Sequence, residues 1–219
     1  MNPSQSSASG RPRIFSRVPA ALAPRTLAVI KGLIFIVGLG ELASLVWRAF
    51  AQDLGANPVE VIERGLGTAA LVFLLVTLGI SPLRWLSGWA WLVRLRRMLG
   101  LFSFFYASLH VLAYVWLDHW FAWQEIFDDI VKRPYLSFGA AAFLLLVPLA
   151  LTSTQGWIRR LGGRNWQRLH RLVYLAAMLA VLHYWFHKLA KNNIEEPAIY
   201  AVVLGVLLGA RLVHWRRAR

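Results

Sequence analysis

Six stretches of this chain, at about residues 27–47, 66–80, 98–117, 135–151, 169–186 and 198–213, are apolar over roughly the length of a membrane crossing. The hydrocarbon core of a bilayer is about 30 Å thick and takes about 20 helical residues. Inside it no water satisfies backbone N–H and C=O groups, so a segment of this kind satisfies them within its own helix. The composition agrees: 58% of the 219 residues are hydrophobic and only 16% are charged, far more apolar than a water-soluble core requires. The expected fold class is an all-α integral membrane protein, a bundle of six transmembrane helices.

The segments between the spans are polar or aromatic. Residues 1–25 are Ser-, Pro- and Arg-rich without apolar periodicity and read as a disordered tail. A cleavable signal is the rival reading, but the run at 27–47 is long enough to span and no small-x-small cleavage site follows it. Residues 26–215 then form one transmembrane domain, with a basic tail at 216–219. Residues 51–64 read as a polar loop, and Ser81-Pro82 closes the second span. The Trp- and Arg-rich connector at 83–97 reads as interfacial, and the acidic, Trp-bearing segment 118–133 as a short amphipathic helix on the membrane surface. Pro148 is expected to kink the end of the fourth span. Gly32, Gly38 and Gly40 give the first span a weak signal for close helix packing.

Charge sets the orientation. With the N-terminus inside and six alternating spans, one side collects Arg11, Arg13, Arg17, Arg25, Lys31, the arginines of 84–97 and 159–171, and the C-terminal arginines. All ten acidic residues fall on or toward the other side. A lysine and arginine bias of this kind orients membrane proteins, which places both termini on the inner, cytoplasmic side. The net charge of +14 is therefore a topology signal and a contact with anionic lipid, and nucleic acid is a remote partner.

Chemistry is concentrated in histidines. The chain has no cysteine, which excludes disulfides, thiolate-held iron–sulfur clusters and Cys-type zinc sites. His110 and His183 each lie inside an apolar span, where an ionisable side chain is costly and marks a functional site. At about 1.5 Å per residue, both fall in the half of the membrane nearer the acidic side, at similar depth. Two imidazoles facing each other across a bundle can hold a haem iron from both axial sides. The plainer alternative is a pair of histidines hydrogen-bonding helices together. His170 sits at the basic boundary beside Arg168 and Arg171, a candidate for a second haem or cofactor site. The span-three residues at that depth are Arg96 and Arg97, which suit haem propionates or an anionic cofactor rather than iron. His119, His187 and His214 lie at span ends and read as propionate contacts or plain interface residues.

No phosphate-cradling GxxxxGK[ST], dinucleotide GxGxxG, GxSxG or HExxH pattern is present. The chain has no visible nicotinamide site of its own, so its electrons come from another molecule. A stand-alone ferric or other metal reductase is one rival reading, and a non-redox transporter or assembly factor with ion- or proton-binding histidines is another. Transporters often show repeated halves, and no convincing sequence repeat relates spans one to three to spans four to six.

The segments RRMLGLFSFFYASLHVLAYVWLD (96–118), KRPYLSFGAAAFLLLVPLALTS (132–153) and RRLGGRNWQRLHRLVYLAAMLAVLHYW (159–185) closely resemble the haem-binding membrane subunits of the bacterial periplasmic methionine-sulfoxide reductase system, the MsrQ family. That family lies within the ferric-reductase-like transmembrane group, which includes the NADPH oxidases. The resemblance runs from residue 27 to the sixth span. It implies haem b, bound FMN, and electrons drawn from the quinone pool or a cytoplasmic flavin reductase. Their destination would be a periplasmic molybdopterin subunit that reduces methionine sulfoxide in oxidised envelope proteins. The family's histidines map onto His110, His170 and His183, and Arg171 joins Arg96 and Arg97 as a candidate propionate, flavin or quinone contact. The sulfoxide chemistry itself would belong to the partner, docked on the loops at 118–133 and 192–197.

Overall fold

A computed structural model of the chain describes residues 22–189 and 192–217. The readings made for the first 21 residues, with Arg11, Arg13 and Arg17, and for residues 218 and 219 lie outside the described residues. Among the described residues all regular structure is helical. Six helical stretches are long and apolar enough to cross a membrane: Pro24–Phe50, Pro58–Ser87, Ala90–Asp118, Pro134–Leu151, Gln155–Leu189 and Glu195–Arg217. The six-span, all-α architecture read from the sequence is borne out.

The first span is two helices, α1 (Pro24–Gly38) and α2 (Gly40–Phe50), meeting at Leu39. The joint has a specific cause. In a continuous helix the Gly38 carbonyl would accept from the N–H of Leu42. Instead the fully buried Tyr106 inserts its hydroxyl, donating to Gly38 O at 2.6 Å and accepting from Leu42 N at 3.3 Å. A side chain inserted into the hydrogen-bond ladder bends a helix.

Helix α3 (Pro58–Ser87) is longer than its apolar run. Pro58 occupies the first turn, and the Asn57 side chain caps the helix by accepting from Glu60 N at 3.2 Å. Half of the segment expected as a loop is thus helical. Pro82 lies inside α3 and does not close it. Proline has no N–H to give the carbonyl four residues back, which leaves Leu78 O open. The Arg211 guanidinium, arriving from the last span, donates to that carbonyl and to the Tyr174 hydroxyl at 2.5 Å. Gly88, at φ +73°, ends the helix.

A short 3-10 turn (Ala90–Leu92) leads into α4 (Val93–Ala113), so the expected interfacial connector is almost entirely helix. A wide π turn, Tyr114–Asp118, extends α4, and the chain then reverses through Trp120 and Phe121, both at positive φ. Helix α5 (Trp123–Lys132) is a short amphipathic helix, as expected for this segment: it buries Ile126 against its neighbours and leaves Trp123, Phe127 and Val131 exposed. Helix α6 (Pro134–Leu151) holds Pro148 three residues before its end, where the Thr152 hydroxyl donates back to Pro148 O at 2.6 Å. Helix α7 (Gln155–His170) turns at Gly162, where φ is +72°.

Helices α8 (Leu172–Leu189) and α9 (Glu195–Arg217) are joined by a buried lysine. Lys188 Nζ lies 2.7 Å from Glu196, whose carboxylate also accepts from the Tyr184 hydroxyl at 2.5 Å. A buried cation without such partners would be strongly destabilising. Two close antiparallel pairs, α3 with α4 and α6 with α8, dominate the packing. Leu74 and Leu78 of α3 meet Leu146 of α6 and the fully buried Ala176 and Ala177 of α8 in the core that joins them. Small side chains at such a contact let helices approach closely.

Candidate histidine site between the two helix pairs

His110 comes from α4 and His183 from α8, and the fold sets them side by side, with ring centres 6.1 Å apart and planes inclined by 73°. Each ring is tied to the helix paired with its own. His110 Nδ1 lies 2.9 Å from Glu63 O on α3, and His183 Nδ1 lies 2.7 Å from Tyr135 O on α6. A carbonyl oxygen can only accept, so both Nδ1 atoms carry the proton and both Nε2 atoms keep a lone pair. A metal-ligating imidazole takes this form, with its other nitrogen donating to a fixed acceptor.

One turn beyond each accepting carbonyl stands a glycine, Gly67 on α3 and Gly139 on α6. A Cβ at Gly67 would come within 3.1 Å of the His110 ring, and one at Gly139 within 2.7 Å of His183 Nδ1. The missing side chains let the rings lie against the helix backbone and reach the carbonyls. These glycines do not stand out by residue type. A signal exists in the runs Gly67-Thr68-Ala69-Ala70 and Gly139-Ala140-Ala141-Ala142, strips of small side chains on which a bulky neighbour can settle.

The donor set fits a bis-imidazole iron. An imidazole nitrogen binds a first-row metal at about 2.0 Å and lies about 1.1 Å from its ring centre, so two opposed rings on one ion are about 6.2 Å apart, centre to centre. The described residues hold no group of three His, Asp or Glu side chains suited to a metal ion. Around the acidic end of the pair, Glu63 Oε1 and the Tyr114 hydroxyl are buried without hydrogen-bond partners among the described residues. Buried polar groups are almost always satisfied, so these atoms mark where a bound polar group or water completes the structure.

The other candidates lie apart from the pair. His170 closes α7, its ring stacked on Trp166 at 3.9 Å and its Nδ1 3.1 Å from Trp166 O. Among the described residues its Nε2 is buried without a hydrogen-bond partner, and it lies about 20 Å from His183 along the chain's helical rise. Arg96 is close enough to interact with His170 and with Arg211. Arg97 instead lines a groove with Lys31 and Arg94, and Arg171 is exposed at the junction of α7 and α8. His187 joins the neighbourhood of the pair through Tyr135, whose ring centre is 5.3 Å from its own. His119 sits between Asp118 and Asp129, at 3.4 and 3.5 Å. His214 stacks on Trp85 at 3.9 Å.

Comparison with known proteins places this arrangement. Residues 64–181 match the family model of the ferric reductase like transmembrane component. A protein of Herminiimonas arsenicoxydans, named protein-methionine-sulfoxide reductase heme-binding subunit MsrQ, is 50% identical over 192 residues, covering 88% of each chain. Proteins of the same name from Ralstonia nicotianae and Xanthomonas euvesicatoria are 46% and 52% identical, over 92% and 90% of this chain and 94% and 88% of their own.

Proposed function

From the premise that the chain belongs to the ferric-reductase-like transmembrane family, and within it to the MsrQ subunits, we propose that it is a b-type cytochrome. It is the membrane subunit of a protein-methionine-sulfoxide reductase. It carries electrons from quinol or a cytoplasmic flavin reductase, across the inner membrane, to a periplasmic molybdopterin partner that performs the sulfoxide chemistry. The observation that supports this best is the pair of imidazoles, 6.1 Å apart and each fixed through Nδ1 to a backbone carbonyl.

His110 Nε2 and His183 Nε2 would hold haem b, whose iron would supply a one-electron change of oxidation state. The protein's part is positional. Glu63 O and Tyr135 O hold both rings in the ligating tautomer, and hydrogen bonding to the distal nitrogen raises ligand basicity. Gly67 and Gly139 set how close each ring comes to its helix. The surrounding apolar helices keep water away. Arg96, Arg171 and His170, at the basic end, are the side chains that a second haem, FMN or a quinone would meet, whereas Arg97 faces a separate groove with Lys31 and Arg94.

The pair lies toward the acidic end, so electrons leave there, beside α5 and the turn before α9. Asp129 is tied to His119 and to Arg133, at 3.5 and 3.4 Å, so the more exposed Asp128 and Glu125 are the side chains that α5 offers a partner.

Haem per chain, measured as pyridine haemochrome on detergent-purified protein, tests the reading. His110→Ala and His183→Ala are each expected to abolish the low-spin b-type spectrum. An unchanged spectrum in either variant would break the pairing and transfer the ligand role to His170.

A further inference from the structure

Between α1 and α4, at the basic end and away from the histidine pair, runs an open groove of about 530 Å³. Its polar lining is entirely cationic: Lys31 from α1, with Arg94 and Arg97 from α4. None of the three forms an ion pair with a carboxylate among the described residues. From these cations the groove continues along apolar side chains, among them Phe35, Leu101 and Phe105. These three are 52%, 37% and 37% exposed and face outward from the bundle. From Arg94 to Phe105 the groove follows α4 for about 16 Å at 1.5 Å per residue. Its polarity therefore falls along one direction, from three unpaired cations to a greasy channel open at the side.

We propose that this groove binds one anionic phospholipid, its phosphodiester among Lys31, Arg94 and Arg97 and an acyl chain along Phe35, Leu101 and Phe105. Three features select this occupant. Guanidinium groups bind phosphate through paired hydrogen bonds, and cations at the membrane surface attract anionic headgroups. The channel opens sideways, as entry from a bilayer requires. A quinol is the other amphiphile of this shape, but its oxidation releases protons, and the lining has no His, Asp, Glu or Tyr to accept them. The lipid would also hold α1 against the bundle. Among the described spans, the first is one of the least buried, and Phe35 and Phe102 are its aromatic contact with α4, at 5.5 Å. The inference does not depend on what the histidines bind.

The test uses the full-length protein, purified with its cofactor and delipidated in detergent. Native mass spectrometry counts bound phosphatidylglycerol, and thermal unfolding is followed as that lipid is added. One phosphatidylglycerol per chain and a rise in Tm that phosphatidylcholine does not reproduce are expected. The double variant Arg94→Gln/Arg97→Gln is expected to bind at least tenfold more weakly. Because lost arginines can also disturb membrane insertion, Leu101→Trp provides a second arm: it fills the channel, keeps every cation and is expected to lose the lipid. Equal binding of phosphatidylcholine, or undiminished phosphatidylglycerol binding by both variants, would overturn the proposal. So would a Tm rise with a short-chain quinone analogue and none with phosphatidylglycerol.

Discussion

The pair α3/α4 and the pair α6/α8 solve one problem with the same parts. In each, one helix contributes a histidine and the other a carbonyl followed, four residues on, by a glycine: Glu63 and Gly67 for His110, Tyr135 and Gly139 for His183. In an α-helix that carbonyl already accepts from the N–H of the residue four on, here the glycine itself. The absent side chain exposes the carbonyl's second lone pair, and the imidazole takes it. The two seats differ in tightness. A Cβ would stand 3.1 Å from the nearest atoms of the His110 ring but 2.7 Å from His183 Nδ1. His110 is held with some slack and His183 with none. The lesson is that the two imidazoles are placed by the bare backbone of partner helices, so the site depends on residues outside the pair itself.

The sharpest way to break the comparison is Gly139→Ala. Contacts below 3.0 Å do not persist, so the His183 ring or helix α6 must shift, and the hydrogen bond to Tyr135 O is lost. Loss of most of the low-spin haem signal is expected, read by optical spectroscopy and by haem per chain, as in His183→Ala. A normal spectrum in this variant would show that the glycine is not a seat.

Gly67→Ala should do less. At 3.1 Å the His110 ring needs to give only a few tenths of an ångström, so haem is retained and its midpoint potential moves instead, because the hydrogen bond that sets ligand basicity is stretched. Potentiometric titration of both alanine variants orders the two seats. Equal losses from the two would erase the distinction drawn here.

The histidines were legible because depth in a membrane is counted along one helix, and matched depth on two spans needs no third element. The glycines were not, because their role depends on rotational register between α3 and α4 and between α6 and α8, which no single stretch encodes. Span ends failed for two separate reasons. The start of α3 is written in the sequence, in the Asn57 cap and Pro58, although its first two turns carry charged side chains. Pro82 reads as a terminator by every local rule. It is tolerated because Arg211, from the far end of the chain, fills the bond that proline cannot make. The orphaned carbonyl can be foreseen from sequence, but its partner cannot.

The smallest effect expected is that of Tyr106→Phe, which asks whether the slack at His110 is set by α3 alone. Tyr106 precedes His110 by four residues on α4, so both lie on one face of that helix. Its hydroxyl fixes the joint between α1 and α2 through Gly38 O and Leu42 N. The outer ties of the α6/α8 pair run instead from α8 to α9, through Tyr184 and Lys188 to Glu196. Removing the hydroxyl leaves those two backbone groups free to pair with each other, which limits the cost to about 1 kcal/mol. A modest fall in thermal stability with an unchanged haem spectrum and potential is expected. A shift in potential as large as that of Gly67→Ala would mean that the brace, rather than the glycine, holds His110. The two seats would then be alike only in their carbonyls.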